Sequence, residues 1–426
     1  MSFLPEPLRI PAFRAYWVAR FAATVAQMAM VIVIGWQVYD IARSVLHMSV
    51  RDASLQLGLI GVAQFVPLFA LSLIAGWTAD RIDRRWIARA SVSLELLCAL
   101  ALAWHAHSGW HSLAFLYAIA ALLGVARAFA GPALGALAPN LVPREILPRA
   151  IALSSIAWQV GTIVGPALGG YLYAVSPQTP YEASAVLFAL SLGCLLLLPA
   201  IARPEIDRSR SPWRQVIDGL HYVRQNRLVL GAISLDLFAV LLGGATAMLP
   251  VFARDILHAG PEGLGHLRAA PAAGATLTAM WFAFRPLKHN VGVKMLTAVG
   301  VFGAATIVFG LSTSMPLSLA CLALLGAADM LSVYVRQSLI QLYTPDAMRG
   351  RVAAVSTLFI SASNEMGEAE SGFLAALVGP VVAVVGGGIG AIFVVLAWSR
   401  IFPELRLART FEAPTLHAAP AKEISA

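Results

Sequence analysis

The sequence predicts an all-α membrane protein, with twelve transmembrane helices in two pseudo-symmetric six-helix bundles. Three observations lead there. The 426 residues are 59% hydrophobic and 12% charged, with a mean hydropathy of +0.77, whereas soluble domains carry about a quarter charged residues. The apolar residues gather into runs of the roughly 20 positions that a spanning helix needs. The two halves of the chain also echo each other at a constant offset.

In chain order the apolar runs lie at about 15–40, 55–77, 87–106, 112–138, 150–174, 182–202, 229–252, 264–284, 291–312, 316–342, 353–378 and 381–402. No small-residue cleavage site follows the first run, so it is expected to be a retained helix and not a signal peptide. Connections are short except for Arg203–Arg227. There Ile217, Leu220 and His221 alternate with charges at helical spacing, which predicts an amphipathic helix on the membrane surface. The expected organisation is an N-terminal bundle over 1–202, a cytoplasmic linker over 203–228, a C-terminal bundle over 229–403 and a cytoplasmic tail over 404–426.

A formal charge of +8 suits either nucleic acid or an anionic membrane surface, and its placement decides. Most Lys and Arg sit in the connections that are inside if the N-terminus is inside. Arg43, Arg51, Arg254 and Arg268 fall outside, and Arg20, Arg127 and Arg336 fall within spans. That is the positive-inside pattern, not a nucleic-acid face. It places both termini in the cytoplasm of a bacterium whose inner membrane holds the chain. Cys98, Cys194 and Cys321 all lie in apolar runs, so no disulfide framework is indicated.

The repeat is carried by Ala-Leu-Leu-Gly at 121–124 and again at 323–326, 202 positions on. At that offset, without gaps, Pro143 meets Pro345, Arg149 meets Arg351, Ser154 meets Ser356, Gly165 meets Gly367 and Gly170 meets Gly372. Spans four and five are thus echoed by spans ten and eleven. A parallel repeat of this kind relates two bundles by an axis along the membrane normal.

Three segments carry a resemblance to the major facilitator superfamily. Gly76-Trp-Thr-Ala-Asp80-Arg81-Ile-Asp83-Arg84-Arg85 resembles its loop signature between spans two and three. Gly161-Thr-Ile-Val-Gly165-Pro166-Ala-Leu-Gly169-Gly170 is similar in full to the signature of its proton-coupled antiporters. Arg127-Ala-Phe-Ala-Gly131-Pro132 resembles, more loosely, its buried-arginine motif. The branch it looks most like holds bacterial macrolide-efflux and siderophore-export proteins. Read by themselves, Gly161, Gly165 and Gly169 recur every four residues and share one helix face, where a neighbouring backbone can come close. Pro166 bends the helix within that face. Spacing alone makes this a packing seam; the resemblance makes it a bent contact that limits leak. Asp80, at a helix end, is expected to latch onto the start of span eleven, where Arg349, Arg351 and a positive helix end await it. With Gly76, Arg81, Arg84 and Arg85 it would form a cytoplasmic gate. The corresponding loop of the second half, Arg285-Pro-Leu-Lys288-His289, lacks the acid.

The spans also contain Arg20, Glu95, Arg127, Asp236, Asp329, Arg336, Glu365, Glu368 and Glu370. At about 2.5–3.5 kcal/mol each, turning all of them to lipid would cost about 25 kcal/mol. They must face an aqueous cavity or one another. The resemblance implies that spans one, four, seven and ten line the cavity, and Arg20, Arg127, Asp236, Asp329 and Arg336 fall on them. At the repeat offset Arg127 corresponds to Asp329, which suggests a pair across the cavity. Glu365 and Glu368 share a face, and two close carboxylates do not readily both ionise. That is the property of a proton-coupling site; the alternatives are a cluster holding Arg336 or Arg127, or a site for a cationic substrate. Glu95 is expected to have a partner on a neighbouring helix, and His105, His107 and His111 to lie in a solvated loop. No metal or cofactor is expected, nor an enzyme: no nucleophile–base pair, phosphate loop or metal constellation is legible. The implied function is secondary-active export of a small organic molecule, drug-like or siderophore-like, by proton antiport with alternating access. The rivals are uptake of a nutrient on the same fold and a non-transporting membrane sensor. The expected partners are that small molecule, protons and the lipid bilayer, with the chain acting as a monomer.

Overall fold

A computed structural model describes residues 5–135, 137–199, 212–285, 287 and 289–411, apart from some side chains within helices, among them those of Gly76, Asp80 and Glu365. The described residues form helices α1 (Pro11–Asp40), α2 (Val50–Arg81), α3 (Arg84–His107), α4 (Leu113–Gly135), α5 (Leu147–Val175) and α6 (Thr179–Leu196). The linker helix α7 (Pro212–Gln225) follows. Then come α8 (Arg227–Leu242), a short α9 (Leu249–Val251), α10 (Gly260–Phe284), α11 (Val291–Leu311), α12 (Met315–Tyr343), α13 (Asp346–Val378), α14 (Pro380–Ile401) and a terminal turn, α15 (Pro403–Leu407). Span seven is α8 prolonged through α9 to Ile256.

Local chemistry sets the helix ends. The Ser49 hydroxyl accepts from the Asp52 N–H at 3.1 Å to start α2, and the Asn226 side chain accepts from the Val229 N–H at 3.1 Å to start α8. Both satisfy donors that the first turn leaves unpaired. A single residue, Gly379, connects α13 to α14 with φ of +94°, a conformation that side-chain-bearing residues avoid.

Ten described segments are long and apolar enough to cross a membrane. The helices α10 and α13 fall outside that set. The helix α13 is diluted by Arg349, Arg351, Glu368 and Glu370, of which Glu368 is paired with Arg268 of α10 and Arg351 with Asp218 of the linker helix. Large apolar side chains such as Leu97, Val175, Phe284 and Phe393 stand on the surface; lipid, not water, is the solvent that tolerates such a belt.

The two bundles repeat particular close contacts at the positions the sequence repeat relates. A Cβ added at Gly165 would lie 2.7 Å from Val25 O of α1, and one at Gly367 would lie 3.0 Å from Val240 O of α8. One at Gly124 would press on Gln64 O of α2 at 2.3 Å, and one at Gly326 on Pro271 O of α10 at 1.9 Å. Between bundles, α5 meets α10 where Gly170 faces Gly265, and α2 meets α13 where Gly58 and Gly372 touch. These contacts lie toward the end of the molecule away from the chain termini, the far end.

The linker helix does not simply float on the surface. Its Gly219 packs on the Arg351 carbonyl at the start of α13, and Val223 joins a small core with Val229, Ile233, Ile340, Val352 and Val355. Ile217 and Leu220 stay exposed.

Candidate functional site

Between the bundles lies a cavity of about 460 Å³. Gln64 and Arg127 line it from the N-terminal bundle, and Asp236, Arg268, Asp329, Arg336, Asn364 and Glu368 line it from the C-terminal one. Asp236, Asp329, Glu368, Arg127 and Arg336, chosen from sequence, are therefore brought to one space. The Glu365 side chain lies outside the described residues.

Geometry assigns the partners. Asp236 on α8 and Arg336 on α12 form an ion pair, with side chains 7% and 3% exposed. Arg268 on α10 pairs with Glu368 on α13 at 3.2 Å. Arg127 donates to Gln64 Oε1 at 3.1 Å. Arg127 and Asp329 share the cavity as the repeat suggested, but no Arg127–Asp329 ion pair is seen among the described residues. Glu95 is fully buried and accepts from Gln27 of α1, a neighbouring-helix partner as expected. Its second oxygen has none. Arg20 donates to the Tyr16 hydroxyl at 3.0 Å, which in turn donates to Leu134 O at 3.0 Å.

Two expectations need correcting. Arg268, placed outside from sequence, stands more than two turns inside α10 and faces the cavity, so the partner of Glu368 is neither Arg336 nor Arg127. The signal was Gly260-Pro261, since proline favours the first helical turn; the apolar run at 264 starts a turn too late. His105 is not in a solvated loop. It is buried, 1% exposed, and stacked on Phe115 with centroids 4.8 Å apart.

At the near end, the gate residues divide. Asp83 caps α3, accepting from the Arg85 N–H at 3.0 Å, and pairs with the Arg85 guanidinium at 2.6 Å. That hydrogen-bonded guanidinium holds the Asp83 carboxyl below its ordinary value. Arg85 also donates to Leu198 O at 3.1 Å, so it ties α3 to the end of α6 within one bundle. Arg351 pairs with Asp218 of the linker helix at 3.2 Å. Arg81 is exposed and Arg84 half-buried; the Asp80 side chain lies outside the described residues, as does Gly76 beyond its helical backbone.

In the glycine signature, Gly161, Gly165 and Gly169 all face α1, in their own bundle; an added Cβ would meet Thr24 Cγ2 at 2.7 Å, Met28 Cβ at 2.6 Å and Ala29 O at 3.0 Å. Across to the other bundle, the Pro166 carbonyl lies 2.9 Å from where a Cβ on Gly265 would stand, and Pro261 O lies 2.4 Å from one on Gly170. One motif serves two seams.

Helices of membrane-spanning length in two repeated bundles, enclosing a cavity lined by charges, define a major facilitator transporter. The chain belongs to the transmembrane secretion effector family, whose profile matches residues 4–422. It is 27% identical over 399 residues to the enterobactin exporter EntS of Escherichia coli O1:K1, covering 93% of both chains, and 28% identical over 399 residues to that of Citrobacter koseri, again at 93% of both. Among solved structures it resembles a bacterial homologue of the human lysosomal transporter Spinster in an inward-facing, occupied conformation, with TM-score 0.71 and 15% identity over 95% of this chain and 99% of that one. The nucleoside transporter NupG matches with TM-score 0.72 and 12% identity over 92% and 99%. These two likenesses speak to the fold. The protein is thus a multi-pass transporter of the bacterial inner membrane.

Proposed function

We propose that the chain exports a small organic molecule, siderophore-like or drug-like, in exchange for protons by alternating access. The observation that carries this reading is the charged cavity at the seam of the two bundles, where Arg127, Asp329 and the two ion pairs Asp236–Arg336 and Arg268–Glu368 lie within reach of one bound solute. The export direction draws on the enterobactin exporters to which the chain is similar, and on the helix-five glycine signature. With both termini cytoplasmic, as the Lys and Arg distribution favours, the packed far end is the periplasmic side. The conformation is then closed outward.

In this reading a proton arriving from outside neutralises a cavity carboxylate, and the cavity's positive charge is then free to make contacts with substrate. Asp329 and Glu368 are the first candidates, and Asp236 and Glu365 the next. Each elementary charge entering is worth about 2.3 kcal/mol per 100 mV of membrane potential. Asp80 takes the part of a cytoplasmic latch, engaging the start of α13 near Arg351 when that side closes; Arg351 leaves its Asp218 partner to do so.

The test is counterflow in proteoliposomes carrying an imposed pH gradient, with a siderophore and a lipophilic drug as trial solutes. Solute efflux coupled to proton entry is the expected result. Flux indifferent to the gradient removes the antiport step, and accumulation with protons moving the same way replaces export by uptake.

A further inference from the structure

The far ends of spans one and seven are built alike. Ile41-Ala-Arg43-Ser-Val-Leu-His47 and Phe252-Ala-Arg254-Asp255-Ile-Leu-His258 share Ala-Arg and Leu-His at the same spacing. Each winds into a π-turn, Ile41–Val45 and Phe252–Ile256. The same two backbone bonds close both: Leu46 N to Ile41 O at 3.0 Å and Met48 N to Ala42 O at 2.9 Å, then Leu257 N to Phe252 O at 2.7 Å and Ala259 N to Ala253 O at 2.7 Å. Each turn reaches a histidine in the left-handed region, with φ of 50° and 51°. A π-turn is one way for a helix to end, but a left-handed non-glycine residue after it carries a strain of order 1–3 kcal/mol. Two such turns at related positions imply a shared task.

The side chains show what that task is. Arg254, on the C-terminal bundle, pairs with Asp40 of α1 and donates to Ser44 Oγ at 2.6 Å. Arg43, on the N-terminal bundle, pairs with Asp255 at 3.3 Å, and the Tyr39 hydroxyl donates to the same Asp255 at 2.5 Å. Each arginine therefore crosses to an acid in the opposite turn or at its first edge: Asp255 lies within its turn and Asp40 immediately precedes the other. Arg43 and Arg254 are also among the few basic residues that the charge bias leaves on the outer side, where topology gives them no purpose.

We propose that the two π-turns form a reciprocal latch, joining the far ends of the bundles by Arg254–Asp40 and Arg43–Asp255, and that releasing it admits opening of the cavity on that side. The inference rests on the alternating-access reading above. The ion pairs are partly exposed, with side chains between 22% and 37% accessible, so the latch is weak enough to open.

Spin labels at Arg51→Cys and Glu262→Cys, both exposed beside the turns, with Cys98, Cys194 and Cys321 replaced, read the separation of the far ends in reconstituted full-length protein. The combined Arg43→Asp and Arg254→Asp variant is expected to raise the long-distance population about tenfold, equivalent to about 1.4 kcal/mol. Exchanging the charges of one prong, with Asp40→Arg and Arg254→Asp, is expected to return it toward the short distance. Tyr39→Phe, which removes only a hydroxyl, gives a smaller shift in the same direction and guards against loss of fold in the charge variants. An unchanged distribution in the double variant and in Tyr39→Phe overturns the latch, as does a charge exchange that behaves like the broken pair. Solute flux on the same vesicles separates this from the transport reading. If the wild type visits both distances and moves no solute, transport falls and the latch stands.

Discussion

Replacing Arg336 by Met tests whether the cavity ion pairs are structural elements whose cost depends on both partners being present. The Asp236–Arg336 pair is almost wholly enclosed, with side chains 7% and 3% exposed. Removing one member of such a pair leaves a buried charge, at about 3–5 kcal/mol. Two features pull toward the lower figure. Arg336 Nε is buried without a hydrogen-bond partner, so its removal also relieves an unsatisfied donor worth about 1–3 kcal/mol. Asp236 lines the cavity, where water can reach it. The expected loss is about 3 kcal/mol for Arg336→Met, with most of it regained when Asp236→Leu is added, because an apolar pair of similar volume carries no desolvation penalty. Equilibrium unfolding in mixed micelles, run as a double-mutant cycle, measures both. A loss below about 1 kcal/mol for the single variant, or strict additivity of the two, would refute the assignment of this pair as a coupled buried unit.

Other expectations follow from particular contacts. Gly165→Val drives a branched side chain into Met28 Cβ and Val25 O, 2.6 and 2.7 Å from its first carbon; overpacking of that kind costs about 1–3 kcal/mol and is read as a lower yield of monodisperse protein. Asp83→Asn should lower stability at neutral pH. Because the folded carboxyl sits below its ordinary value, its contribution is complete above about pH 4 and fades as acid titrates the folded group. The wild-type advantage in a pH series of unfolding midpoints must therefore shrink on acidification; an advantage that grows toward low pH contradicts the Asp83–Arg85 bond. Asp80→Lys is expected to abolish flux while leaving membrane insertion normal by fractionation, and full activity in that variant removes the cytoplasmic latch. Glu368→Gln should leave flux down a solute gradient measurable but uncouple it from the pH gradient, whereas an unchanged proton-to-solute ratio clears Glu368 of a coupling role.

The legible and illegible parts of this protein divide by the range of the forces involved. Whether a segment enters the bilayer depends on the summed transfer free energy of about 20 neighbouring residues. The runs, the repeat at Gly124/Gly326 and Gly165/Gly367 and the inward drift of Arg127 and Asp329 were accordingly visible in one dimension. One place frayed: Arg268, whose helix begins before its apolar run. The matching Ala-Arg and Leu-His spacing of residues 41–47 and 252–258 was also present in the sequence, but under a different offset from the helix-four repeat, since the two halves are not of equal length between these points.

The sequence by itself determined the solvent, the apolar runs, the two halves and the set of charges that had to be kept from lipid. It did so because each of these is an additive property of nearby residues. Only the tertiary structure decided which charge meets which. Glu368 found Arg268, Asp236 found Arg336, His105 went into the core beside Phe115, and the glycine face of α5 turned to α1 while Gly170 turned to α10. Those choices hang on the rotation of each helix about its axis and its height against its neighbours. Both are set by close packing between segments tens to hundreds of residues apart.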